Sequence, residues 1–141
     1  MRYVLDNSVA MRWLLSSQKS ADQNYAETVL RSMSEATALV PHLWHLEAVN
    51  VLLAAEKHGE ITPATADSFV TELTNLPIRI DNLTAHQAFG QTLSLARTHH
   101  LSSYDAAYLE LALREKLALA TLDKDLIRAA KQVHVSLYLT T

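Results

Sequence analysis

Apolar and polar positions along the chain follow two alternating patterns. Short apolar runs, typical of buried strands, are separated by longer segments in which apolar residues recur every three or four positions, typical of helices. Strands separated by helices imply a parallel sheet with right-handed crossovers, so the predicted fold class is α/β. The predicted strands are residues 3–5, 38–40, 77–80, 117–122 and 133–139, and the predicted helices are 8–15, 22–34, 42–58, a segment from 63, a segment from 84, 104–116 and a short segment after 123.

Capping residues mark several of the predicted helix ends. Gly59 suits the C-terminal cap of the long third helix. Thr62 followed by Pro63 provides an N-cap and then a proline at the first helical position. Thr84 and Gln87 have the spacing of a capping box, which predicts that Thr84 is the N-cap of a further helix.

The composition excludes several classes of protein. A length of 141 residues predicts one domain, spanning 1–141, that buries a real core, and 49% hydrophobic residues exclude a disordered chain. Two glycines and three prolines argue against a turn-rich all-β fold. The chain has no cysteine, so disulfides, thiolate metal sites and a cysteine nucleophile are impossible. A reducing compartment suits such a chain, and we expect a cytoplasmic location.

Neither a secretory leader nor a membrane span is expected. Asp6 interrupts the N-terminal apolar run too early for a signal peptide, and no apolar stretch approaches the length of a transmembrane helix. The formal net charge of -3 argues against general coating of nucleic acid. Any nucleic-acid contact therefore needs a local basic patch or bound cations.

Four acidic residues occupy positions from which a carboxylate could act in a site. Asp6 and Asp123 each follow a predicted strand, so both lie at the carboxyl edge of the sheet, where sites of α/β proteins form. Glu47 lies in an almost uniformly apolar helix and shares a face with Asn50, three residues later. Asp105 stands at the beginning of another helix.

Each of these acids also has a purely structural interpretation, which the sequence leaves open. Asp6 and Asp123 are good N-cap residues. Asp105 has capping-box spacing with the serine three residues before it, and the helix dipole favours it there. Glu47 fits a solvent-facing stripe of its helix. Asp125 suits the first turn of the last helix or an auxiliary place at the same edge.

Convergence of several carboxylates would change their chemistry. Two carboxylates about 4 Å apart repel by roughly 4 kcal/mol at an effective dielectric constant of 20. A divalent cation removes this conflict, and hard cations such as Mg²⁺ prefer oxygen ligands. The spacing alone does not show that the four acids converge, since that requires the fold.

Four stretches of the chain carry a resemblance to a known family: YVLDNSVAMRWL, HLWHLEAVNVLL, LSSYDAAYLELA and LATLDKDL. In order, spacing and length they resemble PIN-domain ribonucleases, and most closely the VapC-type toxins of bacterial or archaeal toxin–antitoxin pairs. The resemblance covers nearly the whole chain. It implies a three-layer α/β/α PIN-like fold with a central, mainly parallel sheet of four to five strands.

By this resemblance the acidic site consists of Asp6, Glu47, Asp105 and Asp123. Asp6, Asp105 and Asp123 would be the principal ligands of one or two Mg²⁺ or Mn²⁺ ions, directly or through water. Glu47 would be a further ligand or would orient the attacking water. Residues expected to support these acids from behind are Ser8, Asn50, Thr121 and Asp125.

The activity that the resemblance implies is metal-assisted hydrolysis of RNA, leaving a 5′-phosphate and a 3′-hydroxyl. Arg12 and Lys124 are candidates for contacts with RNA phosphates. The implied partners are an RNA substrate, a second copy of the chain in a homodimer and a cognate antitoxin lying across the groove. We expect the early helices, residues 10–30, to supply much of the apolar surface on which the antitoxin docks.

Two other interpretations stay open at this point. The first is a non-catalytic binding module of the same fold, with the acids serving as helix caps or as an electrostatic attraction for a partner. The second is another acidic-edge α/β protein, a receiver domain or a haloacid-dehalogenase-like phosphatase. The phosphatase needs Asp-x-Asp after the first strand, where this chain has Ser8, and the receiver needs paired acids that are missing beside Asp6.

Overall fold

The computed structural model describes residues 1–140, and at its centre lies a sheet flanked by helices. Within this part of the chain the sheet has four strands in the order β3-β2-β1-β4, and every neighbouring pair is parallel. The prediction of an α/β fold with four to five mainly parallel strands is thus confirmed. The strands are β1 (Arg2–Leu5), β2 (Thr37–Pro41), β3 (Ile78–Asp81) and β4 (Leu119–Ala120).

The helices lie close to the predicted positions, with boundary shifts of a few residues. The predicted helix 8–15 is instead a short α-helix continued by a 3₁₀ turn, Met11–Trp13. A π-helical segment, Ala88–Thr92, interrupts the helix predicted from residue 84. The α-helices are α1 (Asn7–Ala10), α2 (Ser20–Ser32), α3 (Trp44–Lys57), α4 (Pro63–Thr74), α5 (Thr84–Gln87), α6 (Leu93–His99), α7 (Ser103–Glu115) and α8 (Lys124–Gln132).

The core forms around the central strand β1 and the helix α7, which packs on β1 and β2. Tyr3, Val4 and Leu5 are completely buried because β1 has a strand on each side and both of its faces are covered. Every residue from Ala106 to Ala112 is buried, which is the pattern of a helix enclosed on all sides. The beginning of α7 is therefore held rigidly against the end of the sheet.

Most of the predicted caps are present. Gly59 follows α3 with a φ of 72°, a left-handed conformation that glycine adopts without strain. Thr62 accepts a hydrogen bond from the Thr65 amide at 3.2 Å and caps α4. The predicted capping box at Thr84 is wrong, because α5 begins at Thr84 itself and has no side-chain cap. The Thr84 hydroxyl instead accepts a bond from the His42 amide, so a tertiary contact has replaced the local one.

The predicted last strand, residues 133–139, is wrong. The segment turns instead of extending, because His134 and Leu139 have left-handed φ angles of 61° and 56°. One isolated bridge, from Leu119 to Leu137, is what this segment adds to the sheet. The apolar residues of this segment serve to pack against the core and do not form a strand. Val135 and Tyr138 are buried, and Tyr138 stacks on Tyr3 with ring centroids 3.9 Å apart.

A partly buried ion-pair cluster fixes α7 to the end of β3. The Arg114 guanidinium donates to both carboxylate oxygens of Asp81, at 2.9 and 2.7 Å, and to both oxygens of Glu110, at 2.8 and 3.0 Å. Burial of Asp81 opposes ionisation, but the bonds from Arg114 outweigh it and hold the pKa of this carboxyl below its usual value. The fork geometry of the guanidinium restricts the rotation of α7 about its axis.

The exposed large apolar side chains lie outside residues 10–30. The large apolar residues of 10–30 are buried or half-buried, and the Trp13 indole donates to the Ala26 carbonyl at 2.8 Å. The large apolar side chains with more than half of their surface exposed are Met1, Leu46, Leu53, Phe89 and Tyr104. Among the described helices, none has the length and apolarity needed to cross a lipid bilayer.

Candidate active site

A cleft of about 620 Å³ opens where the strands β1 and β4 end, and all four predicted acids line it. Asp6 directly follows β1, and Asp123 is the third residue after the end of β4. These strands are parallel neighbours, and the Asp6 amide donates to the Ala120 carbonyl at 2.9 Å. The residues that follow them therefore emerge at the same edge. Glu47 and Asp105 reach the cleft from the first turns of α3 and α7.

Three of the four acids stand at the N-termini of longer helices, and Asp6 precedes the four-residue α1. Glu47 and Asp105 lie in the first turns of their helices, and Asp123 is the N-cap of α8, accepting from the Leu126 amide at 2.9 Å. The positive end of a helix dipole favours a carboxylate at such a position. The helices α3, α7 and α8 thus offset part of the repulsion among the acids that they bring together.

Asp6 is held by a network of hydroxyl groups. It is 5% exposed, and its side chain does not cap α1. Ser8 and Thr121 both donate to the same oxygen of Asp6, Oδ2, each at 2.7 Å. The two hydroxyls are themselves oriented by the backbone amides of Leu122 and Asp123, at 3.0 Å each. This network uses one carboxylate oxygen and fixes the plane of the carboxyl group.

The electrostatics of the cleft show that the acids interact. Burial raises the pKa of Asp6, the bonds from Ser8 and Thr121 oppose this rise, and Asp123 adds to it. Burial, and then the charges of Asp123 and Asp6, raises the pKa of Asp105 to about 6.

Glu47 is a half-buried carboxyl whose pKa is strongly raised. Burial raises the pKa of Glu47 to about 7; a hydrogen bond from Tyr108 opposes the rise, and the charges of Asp6 and Asp105 add to it. At neutral pH the cleft therefore carries more negative charge than its surroundings compensate.

The donor set suits a hydrated divalent cation more than a tightly enclosed one. Within residues 1–140 no three acidic or histidine side chains are close enough to form a ready metal cage. The acids instead face one another across the cleft. Mg²⁺ keeps several of its waters and binds through one or two carboxylates together with substrate phosphates, so oxygen ligands spaced around an open cleft fit its chemistry.

The other predicted site residues fall into two groups. Ser8, Arg12 and Asn50 line the same cleft, and Thr121 lies behind Asp6. Asp125 lies outside the cleft lining, pairs with Arg128 at 2.7 Å and is largely exposed. The charge of Asp125 still contributes to the raised pKa of Asp105. Lys124 is exposed and does not line the cleft.

A residue that bonds to one of the acids, Tyr108, was not predicted from the sequence. Its buried hydroxyl donates to Oε1 of Glu47 at 2.5 Å. The signal in the sequence was its spacing: Tyr108 follows Asp105 by three residues and so shares a helix face with it. A tyrosine in an apolar helix is otherwise typical of a core residue.

The family profile described as "PIN domain" matches residues 3–132, which is most of the chain. This chain belongs to the PIN domain family. PIN domains are generally nucleases and usually use divalent metal ions. The cleft at the carboxyl edge of the sheet is thus the candidate active site of a PIN domain.

Solved structures share this PIN fold at low sequence identity. PAE2754 from Pyrobaculum aerophilum has a TM-score of 0.65 and 22% identity over 92% of this chain and 79% of that one. VapBC2 from Rickettsia felis, bound to a DNA fragment from their promoter, has a TM-score of 0.64 and 13% identity over 97% and 96%. FitAcB from Neisseria gonorrhoeae has a TM-score of 0.55 and 18% identity over 98% and 96%. No curated protein sequence matches the chain.

The raised pKa values predict how the stability of this PIN domain depends on pH when no divalent metal is present. The folded-state values of about 7 for Glu47 and about 6 for Asp105 lie above the ordinary values of 4.5 and 3.8. Between these limits the folded state binds more protons than the unfolded state, so the free energy of unfolding falls as pH rises. Because water screens half-buried groups, we expect a loss of about 1 kcal/mol for each of the two residues.

Urea unfolding in EDTA at about pH 5 and about pH 8 measures this loss. The substitution Glu47→Gln removes one titrating group and should make the pH dependence shallower. Glu72→Gln, on the exposed surface of α4, is the matched control and should leave it unchanged. An equal pH dependence in the wild type and in Glu47→Gln would contradict the assignment.

Proposed function

We propose that this PIN domain is a Mg²⁺- or Mn²⁺-dependent endoribonuclease and a toxin of the VapC type. The observation that carries the proposal is the set of four carboxylates, from four separate elements, around one cleft in a PIN fold. The raised pKa values of Asp6, Glu47 and Asp105 support it, because they indicate a site with excess negative charge that a cation would neutralise.

In this proposal Asp6, Asp105 and Asp123 hold the cation, directly or through water. A cation held there would supply charge neutralisation at the phosphate and a water of lowered pKa. Glu47, with a pKa of about 7, is suited to accept a proton near neutral pH and to orient the attacking water. Arg12 lines the cleft and is the candidate for contact with the RNA phosphate.

The supporting residues act on the acids and not on the substrate. Ser8 and Thr121 fix the carboxyl plane of Asp6. Asn50, one turn after Glu47 on α3, contributes a neutral polar group to the cleft wall. For Asp125 the contribution would be long-range, through its charge. Lys124 is close to Asp123 in sequence and is the weaker candidate for contact with RNA.

A non-catalytic binding module has less support. If the acids served as helix caps, their side chains would bond to backbone amides at helix starts, and of the four only Asp123 does so in the described part of the chain. Acids engaged in capping bonds have lowered pKa values, whereas Asp6, Glu47 and Asp105 have raised ones. Membership of the PIN family also weighs against a receiver or a dehalogenase-like phosphatase.

The partners follow from the proposed toxin class. A cognate antitoxin would extend a basic side chain into the acidic cleft, since complementary charge favours this contact. A solved relative whose description names VapBC2 is consistent with such a pair. Co-expression with the protein encoded by the adjacent reading frame should suppress RNA cleavage, and undiminished cleavage would exclude that protein as the antitoxin.

A cytoplasmic location stays a prediction.

The activity is tested by metal removal and add-back. After dialysis against EDTA the protein should not degrade a labelled RNA, and Mn²⁺ should restore cleavage that leaves 5′-phosphate ends. Asp6→Asn should lower the rate of cleavage by more than the roughly 10- to 100-fold loss that is typical when a residue hydrogen-bonded to a metal ligand is replaced. Asp67→Asn, an exposed aspartate on α4, is the matched control and should retain the wild-type rate. A well-folded Asp6→Asn protein with a metal-dependent rate close to that of the wild type would defeat the proposal.

A homodimer is proposed on an apolar groove that adjoins the cleft and shares Tyr104 with it. Phe89 is 95% exposed and lines a groove of about 330 Å³ together with Leu93 and Tyr104. Exposure of such a patch to water is unfavourable, and a second copy would cover it.

Analytical ultracentrifugation at micromolar concentration should give a dimer for the wild type and a monomer for Phe89→Glu. Val70→Glu, at an exposed apolar position of α4 that does not line this groove, is the control and should stay dimeric. A wild-type monomer, or a dimer that survives Phe89→Glu, would refute this interface.

A further inference from the structure

Tyr108 connects the core of the molecule to the cleft. It lies in α7, is completely buried, and its hydroxyl donates to Oε1 of Glu47 on α3 at 2.5 Å. The bond joins residues 61 positions apart and so links the two helices that carry Glu47 and Asp105. Glu47 itself is half-buried, so part of its side chain faces the cleft.

The chemistry of the two groups sets the direction of this hydrogen bond. An ionised Glu47 carboxylate can only accept, so the Tyr108 hydroxyl is then the donor. An O–H donor to a carboxylate forms one of the stronger classes of hydrogen bond in proteins.

Two other tyrosines that pack into the core bond to neutral partners. Tyr138 donates to the Ser32 hydroxyl at 2.9 Å, and Tyr25 donates to the Tyr138 carbonyl at 2.7 Å, both away from the cleft. The Tyr3 hydroxyl is buried without a hydrogen-bond partner within the described residues. Tyr108 instead directs its hydroxyl to a carboxylate on the cleft wall, which is more than a buried phenol needs for its own satisfaction.

We propose that Tyr108 is a positioning residue for the ribonuclease reaction, holding Glu47 so that Oε1 is engaged by the core and the other carboxylate oxygen is presented to the cleft. The proposal rests on the proposed function. A glutamate side chain has several rotatable bonds, and the α7 clamp formed by Arg114 with Asp81 and Glu110 gives Tyr108 a fixed base from which to restrain it.

The test compares Tyr108→Phe with Tyr138→Phe, which removes a hydrogen-bonded, buried hydroxyl elsewhere in the core. Tyr108→Phe should lower kcat for RNA cleavage by roughly 10- to 100-fold and leave KM within about 2-fold, because the loss concerns orientation and not substrate binding. Tyr138→Phe should leave kcat and KM unchanged. A wild-type kcat in a folded Tyr108→Phe protein would overturn the proposal.

A double-mutant cycle separates positioning from a merely structural role. In a Glu47→Ala background, Tyr108→Phe should cost less than about 2-fold in kcat, because Tyr108 acts through Glu47. An equal loss in both backgrounds would mean that Tyr108 supports the fold and not Glu47.

A readout in the metal-free protein does not depend on catalysis. The ¹³C resonance of the Glu47 carboxyl, assigned with Glu47→Gln, should shift in Tyr108→Phe and not in Tyr138→Phe. An unchanged resonance in Tyr108→Phe would overturn the proposal. The absence of an H₂O/D₂O isotope shift at this carbon in the wild type would also overturn it. If the wild type degrades no RNA, the proposed function fails, while this spectroscopic test still decides whether Tyr108 holds Glu47.

Discussion

Electrostatic repulsion among carboxylates at one edge of the sheet is the constraint on which the site of this PIN domain depends. Parallel pairing of β1 with β4 brings Asp6 and Asp123 to the same edge, and the first turns of α3 and α7 add Glu47 and Asp105. None of the four can move away without disturbing an element that is packed in the core. The fold therefore retains an arrangement that its own charges oppose.

Several features reduce the cost of this arrangement without removing it. Helix N-termini favour three of the acids, and the hydroxyls of Ser8 and Thr121 stabilise the ionised form of Asp6. The pKa values of Asp6, Glu47 and Asp105 are raised nevertheless. Strain of this kind is typical of functional sites, and a divalent cation is the agent that would release it.

The parts of the site that follow from strand ends were predictable from the sequence. Asp6 and Asp123 come directly after apolar runs, and parallel strands deliver such residues to one edge. The places of Glu47 and Asp105 in the site could not be predicted from the helix pattern, because a helical carboxylate that faces solvent has the same sequence pattern as one that faces a cleft. Only the family resemblance distinguished these two possibilities. Tyr108 was not predicted because a tyrosine in an apolar helix has the pattern of a core residue. Its ring does lie in the core, and only its hydroxyl takes part in the site, through the bond to Glu47.

Two errors in the predicted fold have the same physical origin. The spacing of Thr84 and Gln87 suited a local cap, but the Thr84 hydroxyl bonds to His42 instead. The alternation in 133–139 suited a strand, but left-handed φ angles at His134 and Leu139 bend the segment. In both segments tertiary packing overrode a local pattern, and packing is information that a short window of sequence does not contain.

The central claim is that repulsion among these acids is what a divalent cation relieves, and its most direct test is the stability gained from Mn²⁺ at two pH values. Binding to the folded state raises the free energy of unfolding by about 2.7 kcal/mol when Mn²⁺ is at 100 times its dissociation constant. The account predicts a clear gain at about pH 8, where Glu47 and Asp105 are ionised, and a much smaller one at about pH 5, where both are largely protonated. The same gain at both pH values, or no gain at either, would contradict it.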